Sequence, residues 1–213
     1  MTTSSDPYDP AQAAGRLRIQ AFPHGPQTPP GLSSGFNSAF DVMAVKDVDG
    51  TPGLLQPSDL DALGMDPETA LRTALDQTIS EVLVNLDVQP QQLPTGGEVL
   101  LASAEGVPYV SAGVTTIPQL AGVELPYGAL VAVPRHSMIM ILPVASRQTL
   151  TAVGVLSGFA EFAYQDAADG CSPGLYWFVD GDAFPIRSEP DADGGPQLVI
   201  APELEDVVNR LSA

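Results

Sequence analysis

Leu125–Val144 reads LPYGALVAVPRHSMIMILPV. Two strongly apolar runs flank a break at Pro134–Ser137, and the fold follows from how those runs are read. The break leaves pieces too short to span a bilayer, and we read them as paired core strands of an antiparallel sheet. Arg135, His136 and Ser137 then occupy the connection. Two interpretations meet there. The first is a polar turn solvating the end of a hairpin, with Arg135 reaching an acidic neighbour. The second is a functional loop, in which a histidine beside a fixed cation and a hydroxyl supports acid–base work or anion binding. We favour the turn.

Upstream, FNSAFDVMAV (36–45) reads as a strand, and DVDGTPG from Asp47 as a turn. QPSDLDALG follows, with Ser58 and Asp61 in capping-box spacing and Gly64 as a stop. The strongest helix signal opens at Asp66, a good N-cap, with Pro67 at the first helical position and Glu68 favouring the positive end of the macrodipole. Leu71, Leu75, Thr78, Ile79, Val82, Leu83 and Leu86 recur at helical spacing, which predicts a helix to about Leu86. EVLLASAE and the run around Tyr109–Val114 are β-rich, and TTIPQLAG suits a short helical turn.

Downstream, the segment from Ser146 places Leu150, Val153, Leu156, Phe159, Phe162 and Ala163 at a helical period. LYWFVDGDAFPIR predicts a strand, a turn at Asp180–Asp182 and a returning strand. Alternate burial explains Tyr176, Trp177 and Phe178 there. QLVIA suits a short strand, and PELEDVVNRLSA a terminal helix started by Pro202.

The order lacks regular βα alternation. It predicts an α+β fold, a largely antiparallel sheet with amphipathic helices packed on one face. Residues 1–35, rich in Pro, Ser and Gly, are expected to form a flexible segment. Leu17, Ile19 and Phe22 alternate there as a short edge strand would. Residues 36–213 are expected to form a single domain.

The 213-residue chain carries eight basic residues against 26 acidic ones, a formal net charge of −18. Such a surface repels phosphate backbones and anionic headgroups, which disfavours nucleic-acid and membrane-surface binding. A basic protein partner or a cation is better matched, and acidity also serves solubility alone. One lysine among eight basic residues, with abundant Ala, Val, Gly and Pro, suggests a GC-rich bacterial genome. A single cysteine excludes an intramolecular disulfide. MTTSSDPYDPAQAAGRLRIQ lacks a basic region followed by an apolar core, so a cytoplasmic location is expected.

Other motifs are weak. GLSSG at Gly31–Gly35 matches G-x-S-x-G, but a nucleophile elbow needs a strand before Ser33 and a helix after it, and Thr28-Pro29-Pro30 precedes it here. EPDADGG sets Glu189, Asp191 and Asp193 in the spacing that opens a calcium loop, yet the twelfth position, where a bidentate carboxylate is needed, is Ile200. His24 and His136 are the only histidines, too few for a histidine-based transition-metal site. Cys171, beside a Gly-Ser-Pro turn, is read as a small buried thiol. No phosphate cradle or other cofactor motif is present, so no cofactor is expected.

FDVMAVKDVDGTP, LDALGMDPETALRTAL, GALVAVPRHSMIMILPV and GLYWFVDG, in that succession, resemble the YtpQ-like bacterial proteins over residues 36–182. The resemblance implies a compact α+β domain and brings no activity or cofactor with it. The proline-rich N-terminus and acidic C-terminal segment depart from the family pattern.

The functional expectation is a non-catalytic accessory protein that binds a basic partner, as an antitoxin or immunity protein does. The alternative is a small hydrolase using His136 with Ser137 or a distant carboxylate. A homodimer completed by an apolar face is a third option.

Overall fold

The two apolar runs form β7 (Ala129–Arg135) and β8 (Met138–Pro143), an antiparallel hairpin at the heart of a seven-stranded sheet. In this computed structural model, residues 16–26, 28–94, 96–190 and 196–211 are described. The sheet order is β11-β10-β9-β7-β8-β6-β5 and every pairing is antiparallel. Its other strands are β5 (Val88–Gln92), β6 (Glu98–Ser103), β9 (Leu175–Val179), β10 (Asp182–Pro190) and β11 (Pro196–Val199).

The two-residue period divides β7 and β8 between two cores. Leu130, Ala132, Met140 and Leu142 face one apolar cluster, whereas Ala129, Val131, Val133, Ile139 and Ile141 face another. Both faces are covered, which explains why these strands read as near-continuous apolar runs. Each fully buried Leu or Ile contributes about 1.5–3 kcal/mol through desolvation alone. The first face carries the helix α4 (Val153–Gln165) and the terminal α5 (Glu205–Arg210). Trp177 is wholly buried on it, its indole N–H donating to the Tyr127 carbonyl at 2.8 Å. Tyr176 and Phe178 turn to the opposite face, against Phe40, as alternation requires.

A second, four-stranded sheet contains β1 (Leu17–Pro23), β2 (Ser33–Gly35), β3 (Phe40–Val48) and β4 (Thr51–Leu54), with β3 central. The α+β class is therefore realised with two sheets. Helices α1 (Pro57–Leu63) and α2 (Pro67–Glu81) pack with Leu17, Ile19, Ala44 and Leu55 in a third cluster. Residue 35 is not a structural boundary. β1 lies before it and pairs along its whole length with β3, because Leu17, Ile19 and Ala21 alternate inward and are buried. Phe22 falls out of phase with them.

Several local expectations shift. The run Val110–Thr116 is a 3-10 helix instead of a strand, leading into α3 (Ile117–Ala121). It packs closely on the helix that follows, where a side chain at Gly113 would meet Leu120 Cδ1 at 2.6 Å. The α1 capping box uses Gln56 and Asp59 in place of Ser58 and Asp61, since Pro57 takes the first helical position. Asp66 caps α2 as expected, but α2 ends at Glu81 and Leu83–Asn85 tightens into a 3-10 turn. The turns Asp49-Gly50 and Asp180-Gly181 both have positive φ at both residues, the geometry that a right-twisted hairpin favours. Gly128, at φ 75°, precedes β7 where a Cβ would collide with the Phe178 carbonyl, so only glycine lets β9 approach there. Among the described residues no helix is long and apolar enough to cross a membrane.

Candidate functional site

Pro134 has no N–H to give the β-ladder, and the β7–β8 register shifts between Ala132 and Arg135. Here β7 turns to the 170–172 segment. Cys171 N–H donates to the Pro134 carbonyl at 3.0 Å, Ser172 N–H to that of Val133 at 2.9 Å, and Arg135 bridges Gly170. The irregularity re-aims the residues that follow. Arg135, His136 and Ser137 consequently leave the hairpin end in three directions.

Arg135 serves a helix end. Its Nε donates to the Ala163 carbonyl at 2.9 Å and its guanidinium lies 3.6 Å from Asp166. A cation there satisfies one of the last free carbonyls of α4 and complements the negative end of the dipole. Ser137 contributes backbone contacts: its N–H donates to Asp169 Oδ2 at 2.9 Å and its carbonyl accepts from Ala104 N–H at 3.1 Å.

His136 is buried, 8% exposed, with its ring 4.8 Å from that of Phe22. The hydroxyl it engages belongs to Ser111, whose Oγ lies 3.1 Å from Nδ1. Ser111 N–H donates in turn to the His136 carbonyl at 2.9 Å, so the pair is clamped at two points. Ser111 is fully buried, and its Oγ also accepts from Ala21 N–H at 3.2 Å. A buried hydroxyl proton needs an acceptor, and with one lone pair committed to Ala21 it is directed to His136 Nδ1. This accounting assigns a neutral imidazole with its proton on Nε2. Desolvation supports the assignment: burial lowers the His136 pKa to about 4, against the opposing pull of the Asp169 carboxylate.

The same seam runs along the free edge of β1. Ile19 N–H, also on the side away from β3, donates to Thr78 Oγ1 at 2.9 Å, and the Thr78 hydroxyl donates in turn to the Ala74 carbonyl at 2.7 Å. The Ala21 carbonyl accepts from the Cys171 thiol at 3.3 Å, and Gln20 Nε2 donates to the Pro108 carbonyl at 2.6 Å. Burial, with the Asp169 charge adding to it, pushes the Cys171 thiol far above its ordinary range, so no nucleophilic thiolate forms near neutrality. Thr78 holds the edge strand to α2, while the Ser111 hydroxyl and the Cys171 thiol hold it toward the large sheet. For Ser111 to attack a substrate carbonyl, β1 would first have to leave.

The remaining sequence candidates do not gather at this point. Ser33 begins an exposed strand paired with β3 and is followed by no helix, so GLSSG is not an elbow. His24 pairs with Asp41 at 3.1 Å on the surface. Glu189 pairs with Arg187 at 2.6 Å, while Asp191 and Asp193 lie outside the described residues. Among the described residues no cluster of three or more His, Cys, Asp or Glu side chains is placed to hold a metal ion. Two open cavities, of about 350 and 340 Å³, are lined by the Gly96–Glu98 and Ala145–Ala152 regions and by the β9–β10–β11 strands respectively. Neither is lined by Arg135, His136 or Ser137. Ser111 and Thr78, the hydroxyls that organise the seam, carried one sequence signal: each is a polar residue within an apolar pattern, which demands a partner.

Models of protein families, curated proteins and solved structures were each compared with the chain, and none matches it.

Proposed function

We propose that this chain is a non-catalytic binding protein of the cytoplasm whose acidic surface engages a basic protein partner, in the manner of an antitoxin or immunity protein. The observation that carries the reading is how its few cations are used. Arg16, Arg18, Lys46, Arg135 and Arg187 are ion-paired with Asp49, Glu81, Asp59, Asp166 and Glu189. Only eight basic residues face 26 acidic ones, so pairing five of them within the chain leaves a field dominated by carboxylates. A field of one sign speeds encounter with an oppositely charged partner and disfavours like-charged ones. The geometry at His136 supports the same reading, because Ser111, Arg135 and Asp169 are each engaged in contacts within the chain.

The test is capture of partners from native lysate on the immobilised full chain, at about 50 mM and about 300 mM salt. We expect a basic protein that is retained at the lower salt and largely released at the higher. Recovery of no basic partner, or of one indifferent to ionic strength, overturns the electrostatic mechanism.

A further inference from the structure

We infer that the solvent face of α4 is the contact surface for a short, basic, amphipathic helical segment of a protein partner. This rests on the binding reading above and adds a place and a shape. A helix packed on a sheet normally turns charge to solvent. α4 does not: within VGVLSGFAEFAYQ, Glu161 is the single charged residue. Val153, Leu156 and Ala160 are buried against the sheet. An i, i+4 row of Gly154, Gly158 and Phe162 lies on the outer side, with the exposed Phe159 beside it. Phe162 is 72% exposed and Phe159 47% exposed. Both belong to the apolar helical period read from the sequence, and the structure turns them outward.

The glycines sharpen the point. A Cβ at Gly154 or Gly158 would meet nothing within 4 Å. Internal packing gives no reason for glycine at either site, although each glycine weakens the helix. Beside the exposed Phe162 and Phe159, they leave open space into which a second backbone can approach closely.

Charge and area select the occupant. Glu161 lies on the same helix, the well-exposed Asp166 that follows it is paired with Arg135, and the chain as a whole is strongly acidic. A second copy would bring the same charge to the contact, and an anionic bilayer is repelled. The 13-residue helix is about 20 Å long, so its outer face offers on the order of 200 Å², against about 800 Å² per partner in a stable interface. That extent suits one short helix, bound weakly, with apolar residues at i, i+3, i+4 and i+7 and lysine or arginine around them.

The test uses two synthetic peptides of identical composition: a lysine- and leucine-rich amphipathic helix, and a scrambled version in which the apolar stripe is broken. Binding to the full chain is followed by fluorescence anisotropy. We expect the ordered peptide to bind more tightly, and Phe159→Ser with Phe162→Ser to weaken it about tenfold, to the level of the scrambled one. Gly158→Leu, which projects into open space, provides a second block independent of the phenylalanines and gives the same loss. Equal affinity of the two peptides for the unmodified chain, or no change in either variant, overturns the assignment. So does a concentration-dependent dimer, seen by sedimentation, that the phenylalanine substitutions abolish, because the occupant is then a second copy. If a salt-sensitive natural partner binds wild type and variants equally, the site falls and the electrostatic function stands. If neither peptides nor lysate partners bind, both fall.

Discussion

His136 illustrates how one buried group couples structure to pH. Its folded pKa of about 4 lies below the ordinary histidine value of 6.5. Between these values the unfolded chain binds a proton that the folded chain refuses, so stability rises with pH. The contribution is fully present above about pH 6.5, is lost progressively as the pH falls, and is gone near pH 4. Carboxylate titration overlaps the lower part of this window, so the histidine contribution is isolated by comparison with His136→Gln, which can still accept from Ser111. Urea unfolding at pH 7 and pH 5 should show wild type losing about 1–2 kcal/mol more than the variant. Equal losses would mean that the imidazole is not desolvated as the Ser111 clamp requires. Cys171 follows the same logic with the opposite sign of charge: burial keeps it a thiol, which donates to the Ala21 carbonyl.

At the scale of the element, α4 carries a testable contradiction between propensity and sequence. Alanine exceeds glycine in helix propensity by about 0.8–1 kcal/mol, and nothing obstructs a methyl group at Gly154 or Gly158. Each Gly→Ala substitution should therefore raise the unfolding free energy by about 0.5–1 kcal/mol, read as a higher urea midpoint at unchanged slope. A drop in stability would show that the helix backbone is strained where it looks regular. α4 also shows what periodicity can and cannot reveal. The 3.6-residue repeat located the helix from Ser146 onward, and structure divides it into a 3-10 turn (Arg147–Ala152) followed by α4. It could not assign Phe159 and Phe162 to a side, because apolar residues occupy more of the circumference than one sheet face can cover. Where the chemistry is local, the reading transfers well: Asp66, Pro67 and Glu68 start α2, Gly64 ends α1 in the left-handed region, and two Asp-Gly pairs turn hairpins. The 3-10 run at Val110–Thr116 was hidden because β-rich composition describes burial as well as extension.

The whole molecule depends on contacts that no local pattern encodes. Arg135, His136 and Ser137 were visible as a polar break, yet their meaning came from Ser111, 25 residues away from His136, and from Ala21, 90 residues away from Ser111. An edge strand normally leaves a row of N–H groups open to water or to another chain. β1 instead offers that of Ile19 to Thr78 on α2 and that of Ala21 to Ser111 on the 3-10 run, and the second contact joins the small sheet to the large one. Exchange of individual backbone amides, followed by NMR, reads this seam directly. In wild type, Ile19 and Ala21 should be protected to nearly the level of central β7 amides, despite lying on an edge. Ser111→Ala should release Ala21 while sparing Ile19, and Thr78→Val the reverse, since each removes one acceptor. Each substitution leaves a buried N–H unsatisfied and should lower global stability by about 1–3 kcal/mol. Ala21 exchanging in wild type at the rate of an open edge amide would mean that the sheets are not fastened through β1. Release of both amides by either substitution would instead show that the seam opens as one cooperative unit.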